Sequence, residues 1–202
     1  TVSAPVQGAR DTVIERGEAA NKAMGIAGCV RQGDKGAKGL RDVSLLGVTQ
    51  IDRVVEAMER TLAGDTVRML EKKALPSLDL PMVRRNEFVE ILPLSTGCLG
   101  AWTYCKTKHA RGGLGSYEIS ALVSRVEQAM AEGVSEVWLS SEDAGAYGID
   151  LGTDVAALFR AITAVLPTDG SVMLRLGMTN PPYILAHLDA VAEAMRHPSV
   201  YA

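Results

Sequence analysis

The chain has few cysteines, no long apolar run, no initiating methionine and no excess of positive charge. Its three cysteines are too few, and too odd in number, for a disulfide framework. That points to a reducing compartment, with the cytoplasm as the expected location. No run reaches the roughly 18–20 apolar residues of a membrane span, so no membrane segment is expected in this chain. Thr1–Arg10 also lacks the layout of a signal peptide. The net charge of −3 and pI of about 5.7 argue against a protein that grips nucleic acid with its whole surface. A local basic patch is still compatible with them. Internal repeats and low-complexity tracts are absent as well. The chain opens on Thr1-Val2-Ser3 and stops at Ser199-Val200-Tyr201-Ala202, which reads as the start of another strand. It is expected to be a fragment.

What is present is ordinary globular composition, 47% hydrophobic and 22% charged over 202 residues, enough to bury a core in one domain or two. Apolar points at Val6, Ala9, Val13 and Ala20 suggest a helix over Pro5–Ala23. The short apolar run Met24–Val30 carries Cys29 near its end and leads into a glycine- and charge-rich loop, Arg31–Gly39. Val43–Val48 reads as a strand. Ile51, Val54, Val55, Met58 and Leu62 then keep helical spacing up to the stop at Gly64. Asp65–Glu87, with Pro76 and Pro81, has no sustained period and reads as a linker or wrapping loop.

A regular alternation begins at the strand Val89–Leu94. Ile119, Leu122, Val123, Val126, Ala129 and Met130 form one face of a helix starting near Ser116, and Val134–Leu139 is a strand. Val155, Leu158, Phe159, Ile162 and Val165 form the next helix, with Asp154 as N-cap and Pro167 as stop. Val172–Leu176 is a third strand, and Pro181-Pro182 opens a helix bearing Ile184, Leu188, Val191 and Met195. Successive βα units imply a parallel sheet. The fold class is therefore α/β: residues 1–71 a partial α/β domain, 72–87 a linker, and 88–202 the first half of a β/α barrel.

The chain is organised around Leu94–Gly112, LSTGCLGAWTYCKTKHARG, a loop at the carboxyl end of a strand, where parallel α/β folds place their chemistry. It holds Cys98 and Cys105, separated by six residues, and then a basic run of Lys106, Lys108, His109 and Arg111. Zinc would call for a closer cysteine pair or a further Cys/His pair. His109 could be a third ligand, but no fourth is visible. The alternatives are a metal or cluster site and a pair of half-buried structural thiols.

Gly97-Cys98-x-x-x-Trp102-x-x-Cys105 has the frame of the radical SAM motif with tryptophan in the middle cysteine's place. Its surroundings, TGCLGAWTYCKTKHARG with Ser116-Tyr117, VWLSSEDAGAYG over Val137–Gly148 and MLRLGMTNPPYI over Met173–Ile184, resemble the tRNA methylthiotransferases. The likeness is strongest to the eukaryotic and archaeal branch that acts on threonylcarbamoyladenosine beside the anticodon. AGCV at Ala27–Val30 and LLGVTQIDRVVE at Leu45–Glu56 are similar to that family's N-terminal cluster-binding domain, so essentially the whole chain is covered.

The resemblance implies tRNA modification by methylthiolation, with two [4Fe–4S] clusters and S-adenosylmethionine as cofactors. It implies tRNA, a sulfur donor and an electron-donor protein as partners. Full-length eukaryotic relatives in some cases attach to the endoplasmic reticulum. Cys98, the residue at 102 and Cys105 would hold one cluster, and Cys29 would be the last ligand of the second. Tyr104 would lie against the cofactor's adenine. Ser140, Ser141 and Glu142 would face its amino end, and Arg175 would make a polar contact to cofactor or substrate. The basic run Lys106, Lys108 and Arg111 suits either RNA phosphates or plain solvent. Trp102 is the departure that matters, because an indole N–H only donates and cannot replace a thiolate on iron. The rival expectation is therefore a catalytically dead remnant that acts as a binding module.

Overall fold

A computed structural model describes residues 13–17, 19–29, 40, 42–71 and 74–201. The chain is α/β with parallel sheets and divides into two compact units. One is Thr1–Ser77 with Gly100–Gly113, and the other is Leu78–Leu99 with Leu114–Ala202.

In the first unit, β1 (Gly25–Ala27), β2 (Ser44–Leu46) and β3 (Arg68–Met69) form a parallel sheet in that order. Leu46, Ala57, Val67 and Met69 make one small core, and Ile14, Leu40 and Leu45 a second. Of the helix expected over Pro5–Ala23, residues 13–17 are helical. Its first part lies outside the described residues, as does the Arg31–Gly39 loop. The strand β3 sits inside the stretch read as a linker. Two residues are too short to show a period, and backbone bonds define the strand: Leu45 N–H to Val67 O at 2.8 Å and Gly47 N–H to Met69 O at 2.7 Å.

A 3-10 turn, Val48–Arg53, leads into α1 (Val54–Leu62). The turn is pinned by buried Gln50, whose Nε2 donates to the Glu71 carbonyl at 2.8 Å. The apolar stripe that gave α1 away is only partly what packs, with Val54 and Met58 lining the cleft against β1 and β2. Val55 and Leu62 are 64% and 73% exposed, while Ala57 and Thr61 face the sheet. Small residues are needed there because the helix runs close to Gly25 and Ser44. The Thr61 hydroxyl lies 2.7 Å from Ser44 Oγ, which also accepts the Val67 N–H at 3.0 Å.

In the second unit, β4 (Val89–Pro93), β7 (Glu136–Ser140), β8 (Met173–Arg175) and β9 (Val200–Tyr201) form a parallel sheet in that order. Beside it β5 (Ser95–Thr96) and β6 (Gly115–Ser116) form a short antiparallel pair. Alternation along the strands sends Leu92, Val137, Leu139 and Leu174 to one face. There they pack against Leu122, Val126 and Ala129 of α3 (Ile119–Ala131) and Val155, Leu158 and Ile162 of α4 (Val155–Thr163). In this numbering α2 is the short helix Lys106–Arg111 of the first unit. Each fully buried leucine, isoleucine or valine contributes about 1.5–3 kcal/mol. Asp154 caps α4 as its sequence suggests, accepting the Ala157 N–H at 2.8 Å. The chain then continues through α5 (Pro181–Ile184) and α6 (Leu188–Ala194) into β9.

Candidate functional site

In the second unit the carboxyl ends of β4, β7 and β8 converge on a rim of loops. β4 is followed by fully buried Leu94, whose N–H reaches the Ser140 carbonyl at 2.8 Å and whose carbonyl accepts the Tyr117 N–H at 3.0 Å. The chain then passes Ser95, Thr96 and left-handed Gly97 (φ 74°) to Cys98. Across the rim, Ser116 donates from N and Oγ to Asp150 at 2.8 and 2.7 Å. Tyr147, fully buried, donates its hydroxyl to the Tyr117 carbonyl at 2.6 Å. Burial, followed by the charges of Glu118 and Asp150, pushes that phenol's pKa far upward, so it remains a donor.

Ser140, Ser141 and Glu142 leave the end of β7. Ser140 is exposed, while Ser141 Oγ is buried and has no hydrogen-bond partner. Ser95 Oγ and Thr96 Oγ1 are in the same condition. A buried hydroxyl without a partner costs about 1–3 kcal/mol, so the strand ends hold polar capacity that the protein itself does not use. The next residue, Asp143, is buried and ties the loop after β7 to the loop after β8. Backbone from the latter lies against β7 at Gly177, where an added Cβ would fall 2.0 Å from the Leu139 carbonyl. Arg175 is exposed on β8 with its guanidinium 5.0 Å over the Trp138 ring.

The remaining expected site residues lie in the first unit. Cys29 sits half-buried just past β1. Trp102 and Tyr104 stack with ring centroids 5.8 Å apart and planes at 25°. Cys105, also half-buried, precedes α2. Cys98 belongs to the second unit and Trp102, Tyr104 and Cys105 to the first. None of the three cysteines is in a disulfide. Among the described residues, no group of three or more His, Cys, Asp or Glu gathers that could hold a metal ion.

No protein-family model matches the chain. It is similar to a mouse protein named threonylcarbamoyladenosine tRNA methylthiotransferase, 48% identical over 209 aligned residues that cover all of this chain and 36% of the mouse protein. A Caenorhabditis elegans protein of the same name is 51% identical over 88% of this chain and 42% of its own length. An archaeal protein from Pyrococcus horikoshii, named as a probable member, is 38% identical over 87% of this chain and 41% of its own length. The chain is a homologue of these methylthiotransferases. It spans little more than a third of the length of the vertebrate proteins it matches.

For this methylthiotransferase homologue the fit of a [4Fe–4S] cluster can be tested on its donors. The places that the motif gives to three thiolates contain Cys98, Trp102 and Cys105. Two thiolates and an indole that only donates do not make the ligand set, so the residues present do not fit the cluster. The lone His109 of the zinc alternative is exposed on α2 and gathers no ligand group either. For S-adenosylmethionine the polar strand ends are compatible, since Ser141 Oγ is buried and unsatisfied.

Asp143 and Asp150 shape this rim, and neither was among the site residues expected from the sequence. A carboxylate beside a glycine-rich turn was the available signal. Cys105 has a character of its own: the Lys108 backbone N–H, then the N–H and hydroxyl of Thr107, pull its pKa below the ordinary thiol value. A lowered pKa means the thiolate appears earlier as pH rises. Iodoacetamide labelling of Cys105, followed by peptide mass spectrometry, should therefore rise at a pH below that of an unperturbed thiol. Lys108→Pro, which removes the leading N–H, should move the midpoint up.

Proposed function

We propose that this protein works on tRNA at the threonylcarbamoyladenosine for which its relatives are named, as a tRNA-binding member whose cysteine loop, as it stands, holds no [4Fe–4S] cluster. Identity of 45–48% along the whole chain supports the tRNA partner. The observation that carries the second half is Trp102 between Cys98 and Cys105. In this reading residues 1–71 are part of the family's cluster-binding domain, 72–87 a linker, and 88–202 the opening half of a radical SAM β/α barrel. Cys29 would be one ligand of the family's second cluster, whose remaining ligands are not in this chain.

A second reading, methylthiolation by the intact protein, is favoured by the unsatisfied Ser141 hydroxyl at the end of β7. Ser140, Ser141 and Glu142 would face the amino end of S-adenosylmethionine, Tyr104 its adenine, and Arg175 a polar edge of cofactor or substrate. When bound, S-adenosylmethionine supplies the methyl group of the methylthio product. That reading also needs a sulfur donor and an electron-donor protein. Among the described residues no helix is long and apolar enough to cross a membrane.

Iron and acid-labile sulfide per chain after anaerobic reconstitution separate the two readings. The protein as it stands should take up almost no cluster iron. Trp102→Cys should raise iron uptake, and Cys98→Ala in that background should remove the gain. A stoichiometric four-iron cluster in the unmodified chain would transfer the assignment to the enzymatic reading. No gain from Trp102→Cys would mean that the ligand positions are wrong.

A further inference from the structure

Between Glu90 and Glu118 the chain has no acidic residue, yet Lys106, Lys108 and Arg111 all fall there, in a protein of net charge −3. Immediately ahead of them stand Trp102 and Tyr104. Their rings stack on each other, yet Trp102 is 55% and Tyr104 69% exposed. The pair therefore spends little of its apolar area on the core. The segment takes its anchor elsewhere, at buried Ala110 on α2. Its rings stand in water with cations within a few residues, which is the arrangement that stacks bases and neutralises phosphates.

We propose that the Trp102–Tyr104 pair, with Lys106, Lys108 and Arg111, is a stacking site for single-stranded RNA that operates without a metal cluster. The inference rests on the tRNA reading above and adds the residues that grip the RNA. All five lie within Gly100–Gly113, so the site is complete in one segment of one compact unit. The tryptophan that removes a cluster ligand supplies the larger of the two stacking faces. A base inside a duplex keeps its faces covered by its neighbours, so the rings select unpaired nucleotides. The adenine of S-adenosylmethionine offers a similar face but no phosphate. The salt dependence that phosphate contacts produce therefore distinguishes the two ligands.

The test uses the full chain and fluorescein-labelled short oligoadenylate, with the matching duplex, unfractionated tRNA and S-adenosylmethionine as comparisons. Anisotropy is read at low and moderate salt. The single strand should bind, more weakly as salt rises, and the duplex should bind poorly. Trp102→Ala should weaken single-strand binding roughly five- to a hundredfold, the loss expected for one stacked base. Trp102→Phe keeps a ring and should stay within about threefold of the unmodified protein. Lys106→Ala should flatten the salt dependence by about one phosphate contact. Both substituted aromatic positions are exposed, so these variants should fold.

Equal binding by the Trp102→Ala and Tyr104→Ala variants would overturn the site while leaving the tRNA reading in place. Failure of the unmodified chain to bind either oligoadenylate or tRNA would overturn both. Salt-independent binding displaced by S-adenosylmethionine would assign the rings to that cofactor and overturn the RNA site.

Discussion

Arg125→Ala should destabilise the second unit by about 3 kcal/mol, the low end of the range for breaking a buried ion pair. Glu90, on β4, is fully buried, and a carboxylate cannot stay charged there without partners. It has two: Arg125 Nε on α3 at 2.9 Å and Arg84 Nε at 2.6 Å. Glu132 closes the ring, bonded to Arg84 and 3.5 Å from Arg125 Nη1. Removing Arg125 leaves one oxygen of Glu90 facing apolar core and opens space beneath α3. Arg84 still holds the other oxygen, which keeps the cost at the low end. Urea unfolding followed by circular dichroism measures it.

The double variant Glu90→Leu/Arg125→Leu decides what the ring is for. Charges this deep gain in mutual attraction roughly what they lose in hydration, so replacing both by leucine should cost less than Arg125→Ala alone. Arg84 is only partly buried and can turn to solvent with Glu132. If the double variant is as unstable as the single one, the ring contributes net stability and the hydration argument fails here. Arg84 precedes β4, so the ring also ties residues before the sheet to the end of α3, a coupling that sequence periodicity could not reveal.

Much of the second unit was legible because its elements repeat their period often enough to be counted. α3 and α4 bury the residues their spacing points to, and β4 and β7 alternate as half-covered strands do. The first unit was less legible, for physical reasons. The strand β3 is two residues long and is defined only by its ladder to β2. In α1 the buried line and the apolar stripe only partly coincide: Val54 and Met58 line the cleft against β1 and β2 beside Ala57 and Thr61, while Val55 and Leu62 stay exposed. Hydrophobicity marks the residues most costly to expose, whereas close approach to a sheet selects small ones such as Ala57 and Thr61.

The candidate site divides the same way. That indole cannot ligate iron follows from its chemistry and needs no coordinates. That the rings at 102 and 104 stack on each other and stay exposed follows only from the backbone between them. Single polar residues that hold two loops together leave no periodic trace. Asp143 is the case with the greatest consequence for the rim.

Asp143→Ala should cost about 3 kcal/mol, more than a surface carboxylate and comparable with the loss of Arg125. Its Oδ1 accepts the Gly145 N–H, the Thr179 hydroxyl and the Asn180 N–H, each at 3.1 Å, and its Oδ2 accepts the Asn180 side-chain N–H at 3.1 Å. The carboxylate is buried, so alanine would strand donors that water reaches poorly. Gly145 N–H keeps a second acceptor, Thr179 Oγ1 at 3.0 Å, and the Asn180 backbone N–H would bear most of the loss. Asp143→Asn keeps the Oδ1 acceptor, and the Asn180 amide can flip to meet the new donor. It should cost about 1 kcal/mol. Urea unfolding gives the magnitudes, and hydrogen exchange gives the location. Exchange should speed up together in residues 141–148 and 176–180, the two loops that Asp143 joins. Faster exchange in the first loop alone would reduce Asp143 to a local cap of the turn at Ala144–Ala146. Faster exchange in both would make it the residue that holds Ser141 and Glu142 in place at the strand ends.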